Sequence, residues 1–234
     1  MTIDAISPAL VLPAPPLTLL PVVGATASFA VRRIYCVGRN YLSHVRELQN
    51  NENEPPFFFQ KQREMIVRDG GSVRYPGLTA DFQHELELVV ALQSGGSNIA
   101  SGAALSHVYG YAVGLDMTRR DRQNDMKRMQ KPWEVSKSFE DSAPCGAITQ
   151  AAQCGHLSTA ALQLTVNGQL RQHSNVDQLI WHVPQLIAAL SEQVELAAGD
   201  LIYTGTPSGV GPVVRGDVLQ AHIAGLAPLT VTIV

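Results

Sequence analysis

Closely spaced turn residues, with short strand-like runs between them, most limit how this chain can fold. The 234 residues include 19 glycines and 14 prolines, and turns such as DGG (69–71) and SGG (94–96) recur. Runs of β-branched and aromatic residues between such turns are typical of β-strands. The strand-like runs read RRIYCVG, ELELVVAL, YGYAVGLDMT, LQLTVNGQL, DLIYTGTP, GDVLQAHI and LTVTIV.

Helical patterns are fewer and shorter than the strand-like runs. The segment 40–50 carries apolar residues at helical spacing, and the segment 184–193 begins with Pro184, which suits a first helical turn. The segment 121–130 is polar, which is typical of a short exposed helix. We therefore expect an α+β, β-dominated fold, with residues 31–234 as one domain and the helices at its edge.

The first 30 residues are apolar and rich in proline. They lack the basic beginning of a signal peptide, and prolines interrupt the apolar run that such a peptide needs. The chain contains no uninterrupted apolar stretch of about 18 residues, the length of a membrane span. We expect residues 1–30 to form an extended arm or edge strand packed on the domain, with no membrane partner.

Charge and cysteine content argue against a nucleic-acid-binding protein and against a protein built on disulfides or a cysteine metal site. The formal net charge is −3 and no block of basic residues occurs, so the sequence gives no sign of a nucleic-acid partner. Three scattered cysteines have neither a disulfide framework nor the spacing of a metal site. Cys36 and Cys145 are expected to be buried structural residues, and a reducing, cytoplasmic location fits best.

Two glutamates in the run HELELVV raise the question of what neutralises them. In a strand, Glu85 and Glu87 share one face. The pair is either an exposed, solvated face of a sheet or a site for a hard dication such as Mg²⁺, Mn²⁺ or Ca²⁺, which prefer oxygen ligands. Asp116, at the end of another apolar run, is a third ligand, the N-cap of a helix, or both.

Candidate groups for proton transfer and for oxyanion stabilisation lie in three other segments. His44 and Glu47 are three residues apart, so on a helix they share a face, and a carboxylate beside imidazole makes a better general base. The alternative is a chance pair on an exposed helix. Lys61 and Lys137 either neutralise a substrate carboxylate or enolate, or are surface lysines.

Arginines and one glycine-rich loop could bind substrate oxygens. Arg39, Arg119 and Arg120 are candidate carboxylate ligands, with surface ion pairs as the alternative. The loop YTGTPSGVGP presents amides and the hydroxyls of Thr204 and Thr206, and a purely structural turn is as good an interpretation. The chain has no G-x-S-x-G elbow and no H-E-x-x-H motif, which argues against those hydrolase classes.

Taken in order, these segments resemble the fumarylacetoacetate hydrolase family. The resemblance runs from about residue 34 to the C-terminus. It implies a mixed β-sandwich roll, a single catalytic domain at 31–234, and a homodimer. The matching segments are CVGRNYLSHVREL, FFFQK, HELELVV, GYAVGLDMTRRDRQ, KPWEVSKSFEDSAP, VNGQLRQ and GDLIYTGTPSGVGPV.

The resemblance also implies roles for individual residues. It implies a metal site for Mg²⁺ or Mn²⁺, in which Ca²⁺ can substitute, a dyad that activates water, a lysine near the oxyanion, and substrate contacts. The implied metal ligands are Glu85, Glu87 and Asp116; the dyad is His44 and Glu47; the lysine is Lys137; and the substrate contacts are Arg39, Arg120, Gln123 and Thr206.

The implied activity is metal-dependent hydrolysis of a C–C bond in a 2,4-dioxo acid, a small-molecule substrate. The segments PPFFFQK and KPWEVSKSFEDSAPC are most similar to members that cleave 3-fumarylpyruvate to fumarate and pyruvate in the gentisate route of aromatic degradation. Acylpyruvate hydrolysis and oxaloacetate decarboxylation are alternatives in the same site, as is an isomerase or hydratase acting on such acids. A non-catalytic domain that binds a metal or an acidic metabolite is the alternative from another class.

Overall fold

The computed structural model describes residues 10–41 and 55–234, and β-strands dominate both parts. This confirms the expected β-dominated α+β fold. The strands are β1 Leu19–Pro21, β2 Ser28–Ala30, β3 Ile34–Gly38, β4 Phe57–Lys61, β5 Ile66–Val67, β6 Ser72–Val73, β7 Phe82–His84, β8 Leu86–Leu92, β9 Val108–Leu115, β10 Thr118–Arg119, β11 Ala143–Pro144, β12 Thr149–Gln150, β13 Ala161–Val166, β14 Gln169–Asn175, β15 Leu201–Tyr203, β16 Gly211–Pro212, β17 Val218–Ile223 and β18 Leu229–Ile233.

The helices of the described residues are short and lie between strands. No helix there is long and apolar enough to cross a membrane. The α-helices are α1 Arg120–Met129, α2 Glu134–Lys137, α3 Ala151–Cys154 and α4 Val183–Gln193, and 3-10 turns span Arg63–Met65, Ser101–His107 and Val176–Gln178. Helices α1 and α4 confirm the patterns at 121–130 and 184–193, whereas residues 42–50 of the third pattern lie outside the described residues.

Two larger sheets carry most of the strands. The six-stranded sheet has the order β12-β9-β8-β15-β3-β4, and only its β15–β3 pair is parallel. The five-stranded sheet has the order β14-β13-β17-β18-β6, and a smaller sheet joins β10, β7 and β16. Because β7 precedes β8 and β10 follows β9, the smaller sheet meets the six-stranded sheet where β8 begins and β9 ends.

Strand β8 runs between two hydrophobic clusters, as the alternation of its side chains predicts. Leu86, Leu88 and Val90 point into the larger cluster, and Val89 and Ala91 point into the second. Burying one leucine or valine side chain of this strand contributes about 1.5–3 kcal/mol to the free energy of folding. This packing holds β8 in one register, because a slip by one residue would exchange its two faces.

One strand-like run of the sequence is a hairpin rather than a single strand. The run LQLTVNGQL divides into β13 and β14 at Asn167 and Gly168, whose φ angles are 51° and 76°. Asn-Gly favours this left-handed pair, which makes a tight turn between antiparallel strands.

Within the described part of the N-terminal segment, the residues of β1 and β2 pack on the domain, whereas Leu10, Val11 and Leu12 are exposed. Strands β1 and β2 pair with each other, and the side chain of Leu20 is buried in the second cluster. The amide of Ile148 donates to the carbonyl of Pro21 at 2.8 Å. The separation of residues 1–30, as an arm, from the domain at 31–234 stays a prediction.

Candidate active site

The register of two antiparallel strands brings three carboxylates together. Leu86 pairs with Leu115 in the β8–β9 ladder, so one step earlier Glu85 lies opposite Asp116, whose amide donates to the Glu85 carbonyl at 2.8 Å. Opposite residues of an antiparallel pair share a face, and Glu87 shares that face by alternation. All three carboxylates are buried, and each offers an oxygen within 4.8 Å of the others. We refer to them as the acidic triad.

Asp116 does not cap a helix. Helix α1 begins at Arg120, and its N-cap is Arg119. Asp116 instead ends β9 inside the acidic triad, so the helix-cap alternative is wrong and the solvated-face alternative for Glu85 and Glu87 is also wrong.

Two buried lysines enter the acidic triad. Lys137, at the end of α2, places Nζ 2.8 Å from Glu85 Oε2 and 2.7 Å from Asp116 Oδ2. Lys61, at the end of β4, places Nζ 2.9 Å from Asp116 Oδ1. Isolated buried charges are costly, and these pairs offset that cost. The surface-lysine interpretation is therefore wrong for both residues.

Burial and like charge disturb the proton equilibria of this cluster. The pKa of Glu87 is raised well above its usual range, first by burial and then by the charges of Asp116 and Glu85. Burial opposes the charged form of Lys137, but attraction by Asp116 and Glu85 outweighs it and raises the pKa of the ammonium. Positive charge is therefore stabilised in this cluster, and an unneutralised carboxylate is not.

The acidic triad fits a hard divalent cation. Its donors are carboxylate oxygens alone, which favours Mg²⁺, Mn²⁺ or Ca²⁺ over softer metals. Burial and then like-charge repulsion raise the pKa of Glu87, and a dication among the carboxylates would remove that repulsion. Both oxygens of Asp116 already pair with lysines, but each carboxylate oxygen has more than one lone pair, so these ion pairs and ligation of a metal can coexist.

A cleft opens from the acidic triad, and one face of α1 forms part of its wall. Arg120, Gln123 and Lys127 follow at helical spacing, so they share this face. Arg120 binds Glu85 through Nη2, Gln83 through Nε at 2.8 Å, and Gln123 through Nη1 at 2.5 Å. The polar segment 121–130 is thus not simply an exposed helix, because Gln123 is buried.

The glycine-rich loop after β15 forms another wall. Gly205 adopts a φ of +98° and donates its amide to Glu87 Oε2 at 2.8 Å. The hydroxyl of Thr204 donates to the Leu88 carbonyl at 2.9 Å, so Thr204 is structural. Thr206 lines the cleft, as expected of a substrate contact.

A buried glutamine orients Thr206. Gln172 donates through Nε2 to Thr206 Oγ1 at 2.8 Å, and its Oε1 accepts from the Leu86 amide at 2.9 Å. The same Oε1 lies 3.0 Å from His84 Nδ1, so that nitrogen carries the proton. Because Oγ1 of Thr206 accepts from Gln172, its own hydrogen is available for the cleft.

Apart from Arg119, the predicted site residues that the structure describes are brought together. Arg39 also lines the cleft, whereas Arg119 lies 4.3 Å from the Phe139 ring and outside it. His44 and Glu47 lie outside the described residues, so the dyad stays a prediction. The predicted residues that line the cleft are Arg39, Glu85, Glu87, Asp116, Arg120, Gln123, Lys137 and Thr206.

Sequence reasoning missed several residues of the cleft. Lys127 and Trp133 line it, and Asn40 braces it by donating to the Thr204 and Trp181 carbonyls at 2.8 and 2.9 Å. The sequence could have indicated Lys127, because it stands four residues after Gln123 and so shares its helix face. It contains no such pattern for Asn40 and Trp133, since their positions depend on how distant loops pack.

Several known proteins resemble this chain in fold and in sequence. Residues 33–234 match the family described as Fumarylacetoacetate (FAA) hydrolase C-terminal. Fumarylpyruvate hydrolase from Ralstonia sp. is 42% identical over 77% of this chain and 93% of its own. A mitochondrial oxaloacetate decarboxylase from Dictyostelium discoideum is 40% identical over 83% of this chain and 90% of its own. The crystal structure of Pseudomonas aeruginosa fumarylpyruvate hydrolase with Mn²⁺ and pyruvate matches with TM-score 0.94 and 45% identity, over 97% of this chain and 99% of that one. This chain belongs to the fumarylacetoacetate hydrolase family.

Proposed function

We propose that the protein is a metal-dependent hydrolase that cleaves 3-fumarylpyruvate and water into fumarate and pyruvate. The observation that carries the proposal is the buried acidic triad at the base of a cationic cleft. Two fumarylpyruvate hydrolases, at 42% and 45% identity, support it, and one of them was crystallised with Mn²⁺ and pyruvate.

The metal is proposed to be Mg²⁺ or Mn²⁺, held by the acidic triad. When bound, such an ion acts as a Lewis acid that stabilises negative charge on a 2-oxo acid. Glu85 and Asp116 hold their ligand oxygens through the β8–β9 pairing, and the Gly205 amide fixes Glu87. The ligands are therefore positioned by backbone structure before any ion binds.

The chain's own residues carry out the proton and charge transfers. We assign His44, oriented by Glu47, to take a proton from water as its oxygen attacks the carbonyl on the acyl side. The ammonium of Lys137 stabilises the oxyanion that forms. The C–C bond then breaks, its electron pair leaves as the enolate of pyruvate, and the proton held by His44 returns to that carbon. Arg120, Gln123, Thr206 and Arg39 bind the substrate oxygens.

Oxaloacetate decarboxylation is the second candidate, and the decarboxylase from Dictyostelium discoideum favours it. Both reactions generate the enolate of pyruvate, so both use the acidic triad. The two reactions differ in their need for water, because hydrolysis requires an activated water molecule and decarboxylation does not. Variants of His44 and Glu47 should therefore distinguish the two reactions.

An absorbance assay tests the proposal directly. Fumarylpyruvate, acetylpyruvate and oxaloacetate are each supplied with Mg²⁺ or Mn²⁺, and loss of enol absorbance and release of pyruvate are followed. We expect fumarylpyruvate to give the highest kcat/KM, with equal amounts of fumarate and pyruvate. Faster release of pyruvate from oxaloacetate would assign the second candidate instead.

The dyad has its own test. His44→Ala is expected to leave Mn²⁺ binding intact and to lower kcat on fumarylpyruvate by at least about 10²-fold, the usual contribution of a general base. Oxaloacetate decarboxylation by the same variant serves as the control and should change little. Wild-type turnover of fumarylpyruvate by this variant would end the assignment.

We also propose an oligomeric state, a cellular location and a source of substrate for the enzyme. The resemblance supports a homodimer, and the three cysteines of the chain are free, which fits a reducing cytoplasm. Ring cleavage of gentisate gives the cis isomer, maleylpyruvate, and isomerisation of that product gives a substrate of this kind. Light scattering of the purified protein tests the dimer, and a mass of one chain would contradict it.

A further inference from the structure

A second basic group stands in the cleft away from the acidic triad. Lys127 follows Arg120 by seven residues on the face of α1 that lines the cleft, which separates their backbones by about 10 Å along the helix axis. Arg120 binds Glu85 of the triad. The helix therefore runs from the metal end of the cleft to a second position that also carries positive charge.

The ammonium of Lys127 rests on an aromatic ring. Nζ lies 5.2 Å from the centroid of Trp133, which is within the range of a cation–π interaction. Phe57 packs edge-on against Trp133, with centroids 5.0 Å apart, and so holds the ring in place. In the described residues, no carboxylate forms an ion pair with Lys127.

The surroundings of Lys127 favour an anion. Its pKa is lowered to about 8, first by burial and then by the positive charges of Arg120 and Arg39. Lys137, in contrast, is compensated by two carboxylates of the triad. A half-buried ammonium that is crowded by other cations gains most when a ligand brings a negative charge.

We propose that Lys127, seated on Trp133, binds the carboxylate at the acyl end of the substrate and makes the enzyme select dioxo acids with a carboxylate at each end. The inference rests on the proposed hydrolysis of fumarylpyruvate, and it names the group that recognises the fumaryl part. The 2-oxo acid end of the substrate goes to the acidic triad. The second carboxylate then lies further along the cleft, where Lys127 stands.

The test compares substrates that differ in the second carboxylate. Lys127→Met removes the charge and keeps much of the apolar stem. It is expected to raise KM for fumarylpyruvate about 10- to 100-fold, as loss of a hydrogen bond to a charged group does. Its kcat/KM on acetylpyruvate, which has no second carboxylate, should fall far less than its kcat/KM on fumarylpyruvate. The matched control is Lys131→Met, because Lys131 is exposed just beyond the same helix.

Binding without turnover supplies an independent measurement. Calorimetric titration with fumarate should show weaker binding to Lys127→Met than to the wild type, whereas pyruvate should bind both equally. Lys127→Gln repeats both experiments with a polar, uncharged side chain and should behave like the methionine variant.

The outcomes separate this inference from the proposed function. If the wild type cleaves fumarylpyruvate and Lys127→Met loses nothing, or loses equally on acetylpyruvate, the inference is overturned and the function stands. If the wild type cleaves neither dioxo acid, the function falls and the inference falls with it.

Discussion

At the scale of single residues, the side chains that matter most are buried charges whose partners come from distant parts of the chain. Asp116 meets Lys61 and Lys137, each within 3 Å. Removing one member of such a buried pair leaves a charge uncompensated and typically costs about 3–5 kcal/mol. Loss of any one of these charges is therefore expected to destabilise the cluster.

The sequence predicts part of this cluster. Alternation in HELELVV correctly places Glu85 and Glu87 on one face. The pairing of Asp116 with Glu85 follows from the β8–β9 register, which no local pattern reveals. The depth of Lys61 also escapes prediction, because a lysine that ends a strand is usually exposed.

The first residue-scale prediction concerns Gln172. Gln172→Leu frees the Thr206 hydroxyl from its fixed orientation and leaves the buried Leu86 amide without its acceptor. We expect KM to rise about tenfold and the free energy of unfolding to fall by about 1–3 kcal/mol. Thr206→Val should give the same KM effect, and the double variant should add little to it. Fully additive KM effects would contradict the coupling.

The second residue-scale prediction concerns pH. The pKa of Lys127 is lowered to about 8, first by burial and then by Arg120 and Arg39; Lys137 lowers it further, whereas Glu85 raises it. The ammonium form is present below that pKa and is lost as pH rises through it. The KM for fumarylpyruvate should therefore rise above pH 8 in the wild type. The same profile in Lys127→Met would show that another group titrates.

At the scale of elements, strands β8 and β9 position the acidic triad, and the loop after β15 and helix α1 complete the site. The loop after β15 supplies the Gly205 amide to Glu87, and α1 supplies Arg120 and Gln123. Turn residues in YTGTPSGVGP predict a shaped loop at this point. They do not predict which of its threonines faces the cleft, because that depends on Gln172 from another sheet.

The element-scale prediction concerns Gly205. Its φ of +98° disfavours any other residue, and an added Cβ would lie 2.8 Å from Cβ of Asn40. Gly205→Ala should lower the free energy of unfolding by about 1–3 kcal/mol and weaken Mn²⁺ binding, because the amide that holds Glu87 shifts. Gly77→Ala is the control, since no atom lies within 4 Å of its added Cβ. Equal Mn²⁺ affinity in both variants would contradict this role.

At the scale of the whole molecule, two hydrophobic clusters flank β8 and fix the strand that carries Glu87 of the acidic triad. The strand-like runs between turn residues predict the class of fold, and the order of the motifs predicts the family. The arrangement of the sheets is not readable from composition, since pairs such as β8–β15 join residues more than 100 positions apart. Contacts of that range are set by the packing of the complete core.

The central claim is that the acidic triad binds a divalent cation. Calorimetric titration of the metal-free protein with Mn²⁺ tests it, with Asp116→Asn as the variant and the exposed Glu64→Gln as the control. We predict one ion per chain in the wild type and in Glu64→Gln, and binding weaker by more than about 100-fold in Asp116→Asn, since loss of a ligand should exceed loss of an outer-sphere partner. Wild-type Mn²⁺ affinity in Asp116→Asn would contradict the account.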